Sequence, residues 1–234
     1  MTVHPPGEVF QKPLSLTGEV EILGLDTPVA PEQRPGSGGP RMPQIAATSY
    51  SRKLYQKGIQ TLSWKADDPN QDTLSYDVYY RPLGDARYRP LRKGLTDAVL
   101  AWDTSTVPNG RYVVRITASD GPSNPESLAL SADKESEPFD VDNTPPSVAA
   151  SVSSGAPLKV RAVARDENSL LRRAEFSVDG GRWEEVHPLD GINDSQEETY
   201  EIVPGPLAGA GPHVIVVRAT DLLGNVSTSR VEVP

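Results

Sequence analysis

Gly110-Arg111-Tyr112-Val113-Val114-Arg115-Ile116-Thr117-Ala118-Ser119-Asp120-Gly121 decides how the rest of the chain is read. Tyr112, Val114, Ile116 and Ala118 stand at alternate positions, and a period of two puts them on one face of a β-strand. A shift of 101 residues lays this stretch on a second one, pairing Gly110 with Gly211, Tyr112 with His213, Val114 with Ile215, Ile116 with Val217, Ala118 with Ala219 and Asp120 with Asp221. Upstream the shift is 98, pairing Leu62 with Val160, Trp64 with Ala162, Ala66 with Ala164, Asp68 with Asp166, Asn70 with Asn168, Val78 with Phe176 and Tyr80 with Val178. The apolar positions match in character and the punctuating Gly and Asp match in identity, as two copies of one unit require.

Around these anchors the texture is that of short strands. Gln60, Leu62, Trp64 and Ala66 point one way and Ile59, Thr61, Ser63 and Lys65 the other, which describes a half-buried strand. Leu74, Tyr76, Val78 and Tyr80 share a face, and Val99-Leu100-Ala101-Trp102 and Pro138-Phe139-Asp140-Val141 read as further strands. Val178-Asp179-Gly180-Gly181 reads as a tight hairpin turn, because Asp-Gly supplies the positive φ angles such turns need. Short strands at this spacing predict an all-β protein of two tandem sandwiches, the first over 56–142 and the second over 143–234. Residues 1–55, with the tract Pro35-Gly36-Ser37-Gly38-Gly39-Pro40, read as an extended Pro/Gly-rich segment. Within it Glu19, Val20, Glu21, Ile22 and Leu23 partly alternate and are candidates for a docking strand that adds to a sheet edge in its own chain or a neighbouring copy. Between the copies, Asp142-Asn143-Thr144-Pro145-Pro146 predicts a short, semi-rigid junction.

Composition narrows the function. The 234 residues suit two domains of ordinary size, and 23 prolines with 19 glycines argue for many turns and against a helical bundle. A net charge of −9, with no run of lysine and arginine, makes nucleic acid an unsuitable partner. No apolar stretch is long enough to span a bilayer, and the first residues have neither the basic end nor the apolar core of a signal peptide. Zero cysteines exclude disulfides, thiolate metal sites and cysteine nucleophiles.

The Gly110-Arg111-Tyr112-x-Val114-x-Ile116-x-Ala118-x-Asp120-Gly121 strand resembles the F strand of fibronectin type III and related immunoglobulin-like sandwiches, in which the tyrosine forms a corner hydrogen bond. His213 departs from that pattern in the second copy. The Asn143-Thr144-Pro145-Pro146 junction and the Ala219-Thr220-Asp221-Leu222-Leu223-Gly224-Asn225 ending resemble bacterial Ig-like modules strung in tandem on large exported proteins, some with β-propellers upstream. The resemblance implies an extracytoplasmic, non-enzymatic spacer or protein-interaction module. Its partners would be upstream domains of the parent chain or neighbouring copies.

Three sets of side chains are candidate sites. Asp68, Asn70 and Asp72, at alternate positions of Asp67-Asp68-Pro69-Asn70-Gln71-Asp72, can turn oxygens toward a hard cation, making calcium the one cofactor with a candidate site. The loop is not an EF-hand, since Thr73 stands at the glycine position and Tyr79 where the bidentate glutamate belongs; capping of a tight turn is the competing reading. The repeat mate keeps Asp166 and Asn168 but has Leu170 in third place. Tyr79 points opposite to Tyr76, Val78 and Tyr80 and is the candidate for stacking a sugar, against ordinary cross-strand packing. His4, His187 and His213 are scattered, and Glu184-Glu185 and Glu197-Glu198 read as solvated hairpin and loop residues, so no catalytic constellation is predicted.

Overall fold

The computed structural model describes residues 1–11, 23–24, 52–153, 157–207, 209 and 211–234. They divide into two compact units, Met1–Val141 and Asp142–Pro234. Each is a β-sandwich.

In the first unit, one sheet holds β1 (Thr2–Val3), β4 (Ile59–Ser63) and β7 (Val99–Asp103) in the order β1-β4-β7. The facing sheet runs β10-β8-β5-β6, from β10 (Phe139–Val141), β8 (Gly110–Ser119), β5 (Ser75–Pro82) and β6 (Arg89–Leu95), with β9 (Ser131–Glu135) also paired to β8. The second unit repeats the plan. Its first sheet is β11 (Ser147–Ser153), β12 (Lys159–Arg165) and β15 (Glu197–Ile202); its other is β14 (Glu184–Val186), β13 (Leu171–Val178), β16 (His213–Asp221) and β17 (Val226–Val233).

The alternating residues fill the two cores. Tyr76, Val78, Tyr112, Val114 and Ile116 meet Leu62, Leu100 and Trp102 in the first, and Phe176, Ile215, Val217 and Ala219 meet Val160, Ala162 and Ala164 in the second. Leu62, Val78, Tyr112, Val114 and Ile116 of the first core, and all seven residues named for the second, are positions paired by the internal repeat. Tyr112 makes the expected corner, its hydroxyl donating to the Pro108 carbonyl at 2.7 Å. His213 instead meets Asp179 at 2.6 Å through Nδ1, and that hydrogen bond and the Val214 amide hold the Asp179 carboxyl below the usual range. Asp179 and Gly180 take φ values of 49° and 71°, the positive pair an Asp-Gly hairpin turn demands.

Two expectations change. Ile59 and Thr61, read as the outward face of a half-buried strand, are 5% and 0% exposed. The cover is the chain's own beginning: β2 (Glu8–Gln11) pairs antiparallel with β3 (Arg52–Tyr55), and Val9 and Leu54 pack on Ile59 and Ala101. Thr61 can be buried there because its hydroxyl donates to the Glu8 carbonyl at 2.6 Å. The segment read as extended and preceding the first sandwich therefore contributes strands to it, with Thr2 opposite Ser63 and Val3 opposite Leu62.

Of the proposed docking strand, Glu19, Val20, Glu21 and Ile22 lie outside the described residues. Leu23 donates its amide to the Phe10 carbonyl at 2.8 Å, and the Gly24 carbonyl accepts from Ala101 at 3.2 Å. A Cβ on Gly24 would stand 2.8 Å from the Leu100 Cα, so the backbone approaches β7 as closely as only glycine allows.

Candidate functional site

Carboxylates gather at corresponding corners of the two sandwiches. In the first unit Asp68 follows β4 and Asp120 follows β8; they stand with Asp72 so that one oxygen of each lies within 4.8 Å of the others. Local donors take up these oxygens. Asp68 Oδ1 accepts the amides of Asn70 and Asp72 at 2.8 and 3.1 Å, Asp72 Oδ2 accepts Asn124 Nδ2 at 2.9 Å, and Asp120 Oδ1 accepts the Leu130 amide at 2.6 Å. Asp68 and Asp72 of the sequence set are thus brought together and Asn70 is an exposed neighbour, while Asp120 is a member the sequence set lacked. The loop flanks an open depression of about 440 Å³ lined by Asp67, Asp68, Gln71 and Asp72.

The second unit holds a more buried version. Asp166 follows β12, Asp221 ends β16 and Asp142 leads into β11; all three are buried, at 3%, 0% and 6% exposure, with an oxygen of each within 4.8 Å of the others. One oxygen of each is bound by backbone: Asp142 Oδ1 by the Thr144 amide at 2.9 Å, Asp166 Oδ1 by Asn168 and Ser169 at 2.8 Å, and Asp221 Oδ1 by Asn225 at 2.7 Å. Asn225, 1% exposed, ties the group together, its Nδ2 donating to Asp221 Oδ2 at 2.7 Å and to the Asp142 carbonyl at 2.9 Å. Burial holds the Asp142 carboxyl above the ordinary carboxylate range, and the Asp166 and Asp221 charges add to the rise against the pull of Thr144 and Ser169. Two unit charges about 5 Å apart repel by roughly 3 kcal/mol at an effective dielectric near 20, so a buried group of three is costly unless something neutralises it.

The mates Asp68/Asp166 and Asp120/Asp221 were visible in the repeat. The third carboxylate was not, because it comes from the same loop in one unit (Asp72) and from the junction in the other (Asp142). A third group joins Asp190 and Asp194, from the loop before β15, with Glu198 of β15 itself. Glu198, read as solvated, is 4% exposed and accepts the amides of Asp194 and Ser195 at 3.1 and 3.0 Å.

Tyr79 does point outward from the first core, and its surroundings are cationic. The Arg115 guanidinium, on the cross-strand partner, lies 5.3 Å from its ring centre and Lys93 Nζ 6.0 Å, while its hydroxyl donates to Asp77 at 3.0 Å. Arg115 also lies 4.3 Å from the Tyr88 ring, whose other neighbour is Arg81 at 5.1 Å, so arginines and tyrosines alternate along this outer face. A comparable device in the second unit places Arg218 4.1 Å over Trp183 and in a two-pronged pair with Glu175 at 2.8 and 3.0 Å, which holds the Glu175 carboxyl below its usual range.

Among the described residues no helix is long and apolar enough to cross a membrane. No protein-family model matches the chain, and no curated protein matches it. Among solved structures, the FN1-FN3 domains of chicken CNTN1 align over 75% of this chain at 14% identity and a TM-score of 0.34; the aligned part is 62% of that chain, so this protein spans less than two thirds of its length. The chicken interferon gamma receptor alpha chain aligns over 75% of this chain and 92% of its own at 15% identity and a TM-score of 0.31.

Proposed function

We propose that the chain is a non-catalytic spacer and protein-interaction module of an extracytoplasmic protein, of the tandem kind carried by large exported bacterial proteins. The junction supports this reading. Val141 closes β10 in the first unit, and the very next residue already belongs to the second: the Asp142 carbonyl accepts Asn225 Nδ2, its carboxylate accepts the Thr144 amide, and the Pro146 carbonyl accepts the Ser227 hydroxyl. Pro145 and Pro146 fix two φ angles in the same stretch. Residues 142, 144 and 146 are thus tied into the second sandwich itself, which suits a module of a tandem array. Limited proteolysis with a protease of broad specificity should leave 142–146 uncut for as long as the sandwiches themselves survive. Early release of the two units as separate fragments would sink the reading.

A second reading, self-assembly through the N-terminal segment, draws on one observation. Strand pairing of Thr2–Val3 and Glu8–Gln11 is made within the chain, and the same bonds made with a neighbouring copy would give a strand-exchanged dimer. Light scattering over a range of concentrations should then show a dimer that removal of residues 1–24 abolishes; a monomer throughout counts against it.

A further inference from the structure

We propose that the carboxylates of Asp142, Asp166 and Asp221, with the amide oxygen of Asn225, bind one calcium ion at the end of the second sandwich. The carboxylates alone would not carry this, since buried acids are also held by hydrogen bonds. What points to a ligand is the polar atoms among them that nothing in the protein satisfies. Asn225 Oδ1 is buried with no hydrogen-bond partner, although the Nδ2 on the same carbon is anchored to Asp221 and to the Asp142 carbonyl and so fixes the amide within the cluster. Asp166 Oδ2 is likewise buried and unpartnered, while Oδ1 of the same carboxylate takes two backbone amides. Among the described residues no lysine or arginine pairs with Asp166 or Asp221.

The chemistry of the set selects the ion. Every donor is oxygen, which suits a hard cation and excludes a preference for zinc or copper. Carboxylate oxygens within 4.8 Å of one another can share an ion lying 2.3–2.6 Å from each, the calcium range, with an amide oxygen completing part of a shell of six to eight. Magnesium, at about 2.0–2.1 Å and octahedral, fits a tighter set. The ligands come from the residue that follows β12 of one sheet, the end of β16 and the turn before β17 of the other, and the chain's entry into the unit, so the ion would staple both sheets to that entry. The corner of the first unit differs in the respect that matters, because the oxygens of Asp68, Asp72 and Asp120 described above are met by protein donors and no comparable orphan stands among them.

Calorimetric titration of the full chain, stripped with EDTA and returned to physiological salt, tests this with CaCl2 and MgCl2 as the probes. Calcium is expected to bind with one equivalent that Asp166→Asn loses or weakens at least about tenfold, a conservative bound given that even outer-shell partners carry 10–100-fold. Asp68→Asn should keep that equivalent. At a hundredfold excess over Kd, calcium should raise the melting temperature of the second unit by about 10 °C or more. If Asp166→Asn fails to fold, amide spectra of the native chain decide: the resonances of Thr144, Asn168, Ser169 and Asn225, all donors to the cluster, should move together on calcium addition. Absence of calcium binding, binding that a folded Asp166→Asn retains, an equal response to magnesium, or amide shifts confined to other residues would each overturn the assignment. The spacer reading would stand or fall separately, by proteolysis.

Discussion

Phe10→Ala is expected to destabilise the first unit by about 3–5 kcal/mol while leaving the melting of the second unmoved. Phe10 is 3% exposed and lies edge-on to His4 at 4.9 Å, and its neighbour Val9, 0% exposed, packs on Ile59 and Ala101 with Leu54. Truncation removes the ring's burial and leaves a hole between the N-terminal strands and the sheet they cover, where collapse is resisted by the pairing of β2 with β3. It also loosens the cover over Thr61, whose hydroxyl bond to Glu8 is then exchanged with water. Because the second unit has its own core, it serves as an internal reference in calorimetry or in urea denaturation followed by amide spectra. A loss below about 1 kcal/mol in the first unit would mean that the beginning of the chain merely lies on the sandwich.

That docking was hidden in the sequence for physical reasons. β1 is two residues long, too short to show a period, and the buried residues of β2, Val9 and Phe10, are adjacent, so no alternation marks them. Tyr112, Val114 and Ile116 were legible because a period of two survives along their strand, where Arg115 and Thr117 on the other face stay partly exposed although Val113 is buried. Ile59 and Thr61 misled for the converse reason: a strand covered on both faces keeps no outward set, and threonine is polar enough to be assigned to solvent unless the Glu8 carbonyl is known to be there. The acidic corner was half legible. Asp68 with Asp166 and Asp120 with Asp221 repeat in register, but Asp142 and Asn225 reach the second cluster from either end of the unit, and nothing in their spacing says so. Tyr79 was placed outward by alternation alone; that Arg115 would stand over its ring depended on the register of β5 against β8.

Trp102→Ala should cost the first unit about 3–5 kcal/mol, and the reason bears on what makes it one sandwich. Trp102 is 4% exposed and belongs to β7 of the three-stranded sheet, yet its ring partners come from the opposite sheet: Tyr80 of β5 at 5.0 Å, Tyr112 of β8 at 5.9 Å and Phe139 of β10 at 6.3 Å. One side chain therefore fills the space between layers against three strands, and such aromatic pairs contribute about 0.5–1.5 kcal/mol each beyond the area they bury. Losing it should also free the Tyr112 ring, so that its hydroxyl bond to Pro108 weakens and the protection of that tyrosine against exchange with solvent falls. Trp102→Phe keeps an aromatic between the sheets and should recover more than half of the loss; equal losses for both substitutions would show that only the full indole fills the slot and that a smaller ring contributes nothing there. In the second unit the position paired by the shift of 98 is Tyr200, wholly buried with its hydroxyl donating to Asn193 at 2.6 Å, so the same slot is filled by a ring that brings its own polar partner. Urea denaturation of Trp102→Ala should thus move the first transition alone; an equal shift in both would mean that the two cores do not unfold independently.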